Sequence, residues 1–522
     1  MTRPLAALVG LTVIVWVIIY AVFRTSTIIF SFSTIGGPLI QALMFAFWIA
    51  ELVLLFNALG YFFNILKAVN LYKRATIHYS RDSLPNVTVL IPVHNEPAEL
   101  LRKTIIASQY MDYPRFKIVL LDASDVGDYQ RAMENLAKER GVEYFLVPHP
   151  RHGAKAGSLN SYVPHIETET FVIFDADYRA SRDFLKRLVP QMTADPELAF
   201  IQTPQFYGNL INSVVSRAAQ MQQSIFYEYI CEGKSAGNAM FMCGTNVLVR
   251  TEAIKDIGGF VEGSITEDFA TSLNLLRNGW KSHYDNMTTA FGEGPKNLEQ
   301  YFVQQYRWAR GTLGVFVREW FNLINPKTTL TFSQRLEFIL AGSYYFVGFV
   351  WSILILLPIL YIFFEVPVYF SDPVLYLFSY IPYFLLSLTF FIETLLTRRY
   401  KTSDWIASQS LFMLTLPVYI KAGIDSIFKR PAAFKQTQKD ADASAIPWKK
   451  LRVQTLFLYL NLAAIIFGIG KLYATGFSVS LFLNLMWAMF HQFIFSFFLF
   501  YLYAESKRQA RYRSNHSGRA VS

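Results

Sequence analysis

The chain has 522 residues, 53% of them apolar and 16% aromatic, including 47 Phe and 30 Tyr, which is too hydrophobic for an ordinary soluble enzyme. Its formal net charge of +10 sits largely beside apolar runs, so it is topological in origin and needs no nucleic acid to explain it. Only Cys231 and Cys243 occur, which fits a reducing compartment and argues against a disulfide framework or a cysteine metal cluster.

Residues 5–23, 38–66, 337–364, 374–396, 454–473 and 478–503 each supply the roughly 20 apolar residues that cross a bilayer core, giving about six spans. Arg3 also fits a signal peptide, but the run after it is long and no small-residue cleavage site follows cleanly, so an uncleaved anchor is expected. Lys73, Arg74 and Arg81, then Arg398, Arg399 and Lys401, then Lys429 and Arg430, then Lys507, Arg508, Arg511 and Arg513 flank spans on one side. The opposite loops, 365–373 and 471–477, carry almost no cations, so both termini and the central domain are expected in the cytoplasm. The 404–428 stretch is apolar but contains Asp404, Gln409, Pro417, Lys421 and Asp425. If it spanned, the basic loop after it would change sides, so it reads as an interfacial helix.

The chain thus divides into two N-terminal transmembrane helices (1–70), a cytoplasmic domain (71–335), a transmembrane pair (336–400), an interfacial helix with a loop (401–450), a second pair (451–504) and a basic tail (505–522). Asn86-Val-Thr88 and Asn286-Met-Thr288 match the glycosylation triplet, but a cytoplasmic domain would not meet that machinery. Within the spans, Glu51, Asn461, His491 and Gln492 either line a polar path or bond helix to helix.

Between about 85 and 325, β-branched runs alternate with helical stretches, as in a mostly parallel, Rossmann-like α/β sheet inserted between membrane helices. Residues 87–93, 116–121, 143–147, 171–174 and 199–203 read as strands. Their carboxyl ends deliver His94 and Glu96, Asp122, and Asp175 with Asp177, and ligands of open α/β folds bind beyond those ends. The Asp-Ala-Asp pair is either a strand-end turn or a hard-oxygen seat for Mg²⁺ or Mn²⁺. Lys155, in a Gly-bearing loop at a helix start, is either an anion site or a surface lysine. Thr266-Glu267-Asp268 opens a helix that Gly279 stops; plain capping is one reading and a general base the other. On the following helix, Gln304, Arg307 and Trp308 share a face, where Arg can clamp a diphosphate and Trp can stack on a sugar, or the face can rest on a membrane.

Together these motifs resemble, in order and from about Val87 to Lys439, the processive family 2 glycosyltransferases that make cellulose, mannan, chitin and hyaluronan. The resemblance implies a GT-A-like inverting domain fused to helices that pass the growing polysaccharide through the membrane. It implies that His94, Glu96, Asp122, Lys155, Asp175 and Arg307 bind the nucleotide-sugar, that Asp175 and Asp177 hold the metal, and that Asp268, with Glu267 beside it, is the catalytic base. Gln304, Trp308 and Cys243, the last in Phe241-Met-Cys-Gly-Thr245, would meet the acceptor. Phe434, Thr437 and Lys439 resemble a gating loop, with Gln436 in place of its valine, and His94 replaces a frequent tyrosine.

Thr266-Glu-Asp-Phe followed by Gly279-Trp280 is more like the cellulose and mannan branch, so UDP-glucose or GDP-mannose is the expected donor. No cyclic-di-GMP-binding domain is expected after the last span, and accessory export subunits are possible partners beside membrane lipid. Two rival readings are a non-processive transferase acting on a lipid carrier and a transporter or scaffold with an inactive domain.

Overall fold

The computed structural model describes residues 3–32, 37–71, 84–149, 153–210, 213–366, 373–397, 401–431 and 448–517. Among the described residues there are ten strands: β1 (Val87–Val93), β2 (Phe116–Asp122), β3 (Glu143–Leu146), β4 (Thr170–Ile173), β5 (Arg179–Ala180), β6 (Leu198–Gln202), β7 (Phe206–Tyr207), β8 (Val247–Arg250), β9 (Lys281–Tyr284) and β10 (Ala290–Gly292). Seven form one sheet in the order β3-β2-β1-β4-β8-β6-β9, and the short β5, β10 and β7 form a second. Pairing from β3 to β4 and between β6 and β9 is parallel. Only β8, which runs antiparallel to both neighbours, breaks the pattern.

β1 is an almost unbroken apolar run because helices cover both faces of the sheet. Val89 and Ile91 join one core with Leu120, Phe174 and Phe184, and Leu90 joins the other with Val119, Phe171 and Val249. From β1 the chain winds outward to β3 and then returns to β4 on the opposite side. The carboxyl ends of β1 and β4 therefore flank a topological switch point, the place where such sheets open a crevice.

The five strands read from sequence occur within one residue of their expected ends. β8, β9 and the three two- or three-residue strands were not legible, because Val247-Leu-Val-Arg250 and Lys281-Ser-His-Tyr284 are too short to show a period.

Among the described residues seven helices are long and apolar enough to cross a membrane, one more than the six read from sequence. The additional one is Ser403–Ile427, the stretch read as interfacial; 67% of its apolar window is buried in protein, against 6% for Val374–Glu393. It packs along the Leu298–Ile324 helix and the Val214–Ile225 helix of the sheet domain, and also against the Val347–Phe364 and Val479–Ser517 helices. Polar contacts fix that packing: Tyr306 Oη donates to Asp425 Oδ2 at 2.6 Å, and Arg310 Nη2 donates to the Arg430 carbonyl at 2.7 Å. The basic extension after 504 continues the last helix to Ser517.

The sheet domain and the membrane helices share a buried junction. Glu337 accepts from Lys234 Nζ at 2.8 Å, Lys67 Nζ at 3.0 Å and Asn64 Nδ2 at 2.9 Å. Gly233 lets the backbones meet, since a Cβ there would stand 2.7 Å from Asn64 Cα. The intramembrane polar residues divide between the two readings. Asn461 Nδ2 donates to Gln492 Oε1 at 2.9 Å, a helix-to-helix bond. Glu51 and His491 line a cavity of about 250 Å³, where Glu51 pairs with the fully buried Arg24 and accepts from Tyr20.

Candidate active site

The strand ends bring the polar residues to one crevice. After β2, Asp122 is fully buried, with Oδ1 accepting from the Ser124 N–H at 2.9 Å and Oδ2 from Tyr144 Oη at 2.9 Å. After β1, His94 Nδ1 lies 2.8 Å from the Ala123 carbonyl, and its Nε2 is 3.5 Å from Asp125. Glu96 follows on the same turn, half-buried. After β4, the Asp175 N–H donates to Thr245 Oγ1 at 2.9 Å, and Asp177 follows two residues on, half-buried.

Lys155 lies in the first turn of the Ala154–Tyr162 helix, whose cap, Gly153, has φ +67°. A side chain is strained at that angle, so glycine suits the turn. Its ammonium is committed: it ion-pairs with Asp175 and donates to the Gly244 carbonyl at 2.7 Å. Desolvation opposes its charge, but Asp175, Glu267 and Asp268 more than offset that and raise it above the ordinary lysine value.

Asp268 stands in the first turn of the Glu267–Arg277 helix, across Gly244 from Lys155. A Cβ built on Gly244 would be 3.3 Å from Asp268 Oδ2 and 3.9 Å from Lys155 Nζ, so the two groups flank one glycine. Burial first, and the neighbouring Glu267 charge second, push Asp268 up to about 7, while the Phe269 N–H and Lys155 pull the other way. Burial raises Glu267 too, against the pull of Lys155 and Arg307. A carboxyl poised near neutrality in a cleft suits a general base. Thr266, the residue expected to cap this helix, makes no cap bond, and its buried hydroxyl has no hydrogen-bond partner.

The Leu298–Ile324 helix starts at Asn297, whose side chain accepts from the Gln300 N–H at 2.9 Å. It carries Gln304, which receives a long 3.5 Å contact from Tyr207 Oη, and Arg307, whose charge reaches Tyr207 and Glu267. Trp308, Gln304, Cys243 and Asp268 all line one cavity of about 540 Å³. It runs from the sheet domain into the helix bundle and shares Trp351 with the 250 Å³ cavity beyond. Burial pushes the Cys243 thiol up, so it meets the cavity as a neutral group.

The structure thus groups Lys155, Asp175, Glu267, Asp268 and Arg307 beside the chamber that Cys243, Gln304 and Trp308 line, with His94, Glu96, Asp122 and Asp177 at or just beyond the ends of β1, β2 and β4; Phe434, Thr437 and Lys439 lie outside the described residues. Among the described residues no group of three or more His, Cys, Asp or Glu could hold a metal. Asp175 and Asp177 would have to share a cation with oxygen donors from a ligand.

Sequence reading missed Gln205 and Tyr207, which follow β6 as Thr203-Pro-Gln-Phe-Tyr207. Gln205 Nε2 donates to the Cys243 carbonyl at 2.5 Å, so the segment reaches the same chamber. The strand-end rule that found Asp122 and Asp175 applies equally to this strand.

Residues 170–396 match the family described as Glycosyl transferase family group 2. The chain is 29% identical over 427 residues to the UDP-forming "Cellulose synthase catalytic subunit" of Pseudomonas fluorescens (strain SBW25), covering 79% of this chain and 56% of that protein. It is 33% identical over 267 residues to "Cellulose synthase 2" of Novacetimonas hansenii, covering 50% and 16% respectively. The chain thus spans about half the length of the first relative and less of the second. Among solved structures, the mannosyltransferase PcManGT from Pyrobaculum calidifontis, in complex with GDP-Man and Mn²⁺, superposes with a TM-score of 0.53 at 17% identity, over 74% of this chain and 100% of that one. The fold is the expected GT-A-like α/β domain set between apolar helices.

Proposed function

We propose that this chain, which carries a family 2 glycosyltransferase domain, is a membrane-embedded inverting transferase that extends a β-linked hexose polymer and feeds it into its own helix bundle. The supporting observation is the 540 Å³ cavity that starts at Asp268, passes Trp308 and meets a second cavity at Trp351 inside the membrane helices. A passage of this kind suits a product whose far end moves away from the base as it lengthens.

The donor nucleotide would lie over the switch point, with His94, Glu96 and the buried Asp122 around the base and ribose. Lys155 and Arg307 would face the diphosphate. Asp175 and Asp177 offer the hard oxygen donors that Mg²⁺ or Mn²⁺ prefers, and the diphosphate would complete the coordination; such a cation, when bound, neutralises charge on the departing diphosphate. A donor phosphate would also draw the Lys155 ammonium away from Asp175.

Asp268 Oδ2 would accept the proton of the acceptor's terminal hydroxyl as that oxygen attacks the anomeric carbon from the face opposite the nucleotide. The glycosidic bond forms, the bond to the nucleotide breaks, and the anomeric configuration inverts. Burial, with the Glu267 charge second, raises the base to about 7. Trp308 would stack on the terminal sugar and hold the hydroxyl at the base, which raises its effective concentration. The Ser403–Ile427 helix, buried along the acceptor helix, would lie at the membrane interface beneath the chamber, with the sheet domain on the cytoplasmic side.

Incubating the purified protein in lipid discs with UDP-glucose, GDP-mannose and UDP-N-acetylglucosamine separately tests this reading. A high-molecular-weight product from a hexose donor is expected. One organic-soluble glycolipid, or no nucleotide release from any donor, would overturn it.

A further inference from the structure

The three-stranded sheet ties the 175–177 turn to the 203–207 segment. Phe291 in β10 pairs with Arg179 in β5 on one side and with Phe206 in β7 on the other. Two strand spacings, about 10 Å, therefore separate the backbone just after Asp177 from the backbone just before Tyr207. The rings that flank this strand are seated on glycines: a Cβ on Gly292 would collide with the Tyr178 ring, and one on Gly294 would stand 2.6 Å from the Tyr207 ring. The Tyr207 N–H also donates to Gln220 Oε1 at 2.7 Å. With ring and backbone both fixed, the phenol has a preset place in the 540 Å³ cavity that it lines.

Its hydroxyl is left with a weak bond. Tyr207 is 3% exposed, and the acceptor that its proton reaches is Gln304 Oε1 at 3.5 Å, the outer limit of a hydrogen bond. A buried O–H without a good acceptor is costly. Burial holds the phenol neutral, Asp177 adds to that, and Gln304, Gln223 and Arg307 oppose it. The hydroxyl thus stands in the joint field of one aspartate that offers itself to a cation and the arginine that would face the diphosphate.

We propose, resting on the function above, that Tyr207 is a further catalytic residue whose O–H donates to the departing diphosphate of the nucleotide-sugar. The acceptor oxygen bonds to the anomeric carbon, the bond from that carbon to the phosphate oxygen breaks, and its electron pair stays on the phosphate. Tyr207 keeps its proton throughout. As charge builds on the phosphate, a neutral contact becomes a charge-assisted hydrogen bond, stronger in the transition state than before it. Removing one preorganised donor of this kind lowers rates by roughly 100-fold. Free UDP already carries on its β-phosphate the charge that the nucleotide-sugar develops only on transfer, so the same O–H holds UDP but has nothing to hold in UMP.

Tyr207→Phe removes the O–H and keeps the ring against Gly294. The full-length protein in lipid discs, with Mg²⁺ present, would be titrated calorimetrically with UDP and UMP, with GDP and GMP, and with cellotetraose and mannotetraose. Nucleotide release from UDP-glucose and GDP-mannose would be followed beside it. The expected result is a diphosphate affinity at least threefold weaker in the variant, with monophosphate affinity, tetraose affinity and melting temperature unchanged. The kcat should be at least tenfold lower at a donor KM within twofold of wild type. Unaltered diphosphate affinity and kcat, an equal loss of mono- and diphosphate binding, or a loss of tetraose affinity alone would overturn the assignment; the last would place the hydroxyl on the acceptor side, acting through Gln304. A wild-type protein that bound neither UDP nor GDP would instead overturn the proposed function on which it rests.

Discussion

Gly311 lies against Thr266: a Cβ on the glycine would stand 2.5 Å from Thr266 Cγ2 and 2.9 Å from its backbone nitrogen. The helix bearing Gln304, Arg307 and Trp308 therefore rests directly on the turn that presents Glu267 and Asp268, with only the Thr266 side chain in the contact. Gly311→Ala forces the two apart by a fraction of an ångström to an ångström. Because such a displacement near the reacting atoms can cost up to about 100-fold in rate, kcat should fall by tenfold or more while nucleotide affinity stays unchanged. Steady-state kinetics beside UDP titration separate the two effects.

Asp268 gives a signed pH dependence. As the base it must be ionised, so activity should rise with pH through about 7, and Asp268→Asn should be inactive at every pH while still binding UDP. Its folded value is raised, so it contributes stability in full below the ordinary aspartate range and loses it as pH climbs to about 7. Melting temperatures of wild type and Asp268→Asn should diverge from pH 4 to 7 in the variant's favour and then run parallel.

Lys155→Met removes the one ammonium that holds Asp175 and the Gly244 carbonyl together. Losing a charge-assisted bond to phosphate costs about 1.5 to 3 kcal/mol. The donor KM should rise by roughly tenfold or more, and UDP affinity should fall with it.

Glu337→Ala leaves Lys234 and Lys67 facing each other without their shared carboxylate. Breaking a buried pair by deleting one partner costs about 3 to 5 kcal/mol. The thermal unfolding midpoint of the detergent-solubilised protein should drop clearly. The surface pair Lys117–Glu143, solvent-exposed at 3.0 Å, should tolerate Glu143→Ala with little change.

Chelation should abolish sugar transfer reversibly, with Mn²⁺ or Mg²⁺ restoring it. UDP binding should weaken on chelation without a change in melting temperature, since Asp175 already has Lys155 as a partner when no cation is present.

Residues whose chemistry depends on type and spacing were legible in the sequence. Asp122, Asp175 and Asp177 end apolar strands, and strand ends open onto the crevice. Asp268 and Trp308 were readable because an acidic helix start and an i, i+4 face survive as local patterns. Contacts between distant segments were not. Gly311 against Thr266 and Tyr419 beneath Gln305 pair residues 45 and 114 positions apart, and nothing local marks either. Arg24 was hidden for another reason: one cation in an apolar run looks tolerable until its partner Glu51, on the next helix, is known. The 403–427 helix shows that composition cannot separate burial in lipid from burial in protein, because both demand apolar side chains.

The chamber's walls come from both halves of the molecule: Cys243, Gln304 and Trp308 from the sheet domain and its flanking helix, and Asn57, Tyr61, Tyr344 and Trp351 from helices meant for lipid. A fragment cut at 71 and 331 would keep the residues proposed to hold the nucleotide yet lose half of the walls that enclose the proposed acceptor. On the proposed function, such a truncation should hydrolyse donor rather than extend a chain, because little would be left to hold an acceptor hydroxyl at Asp268.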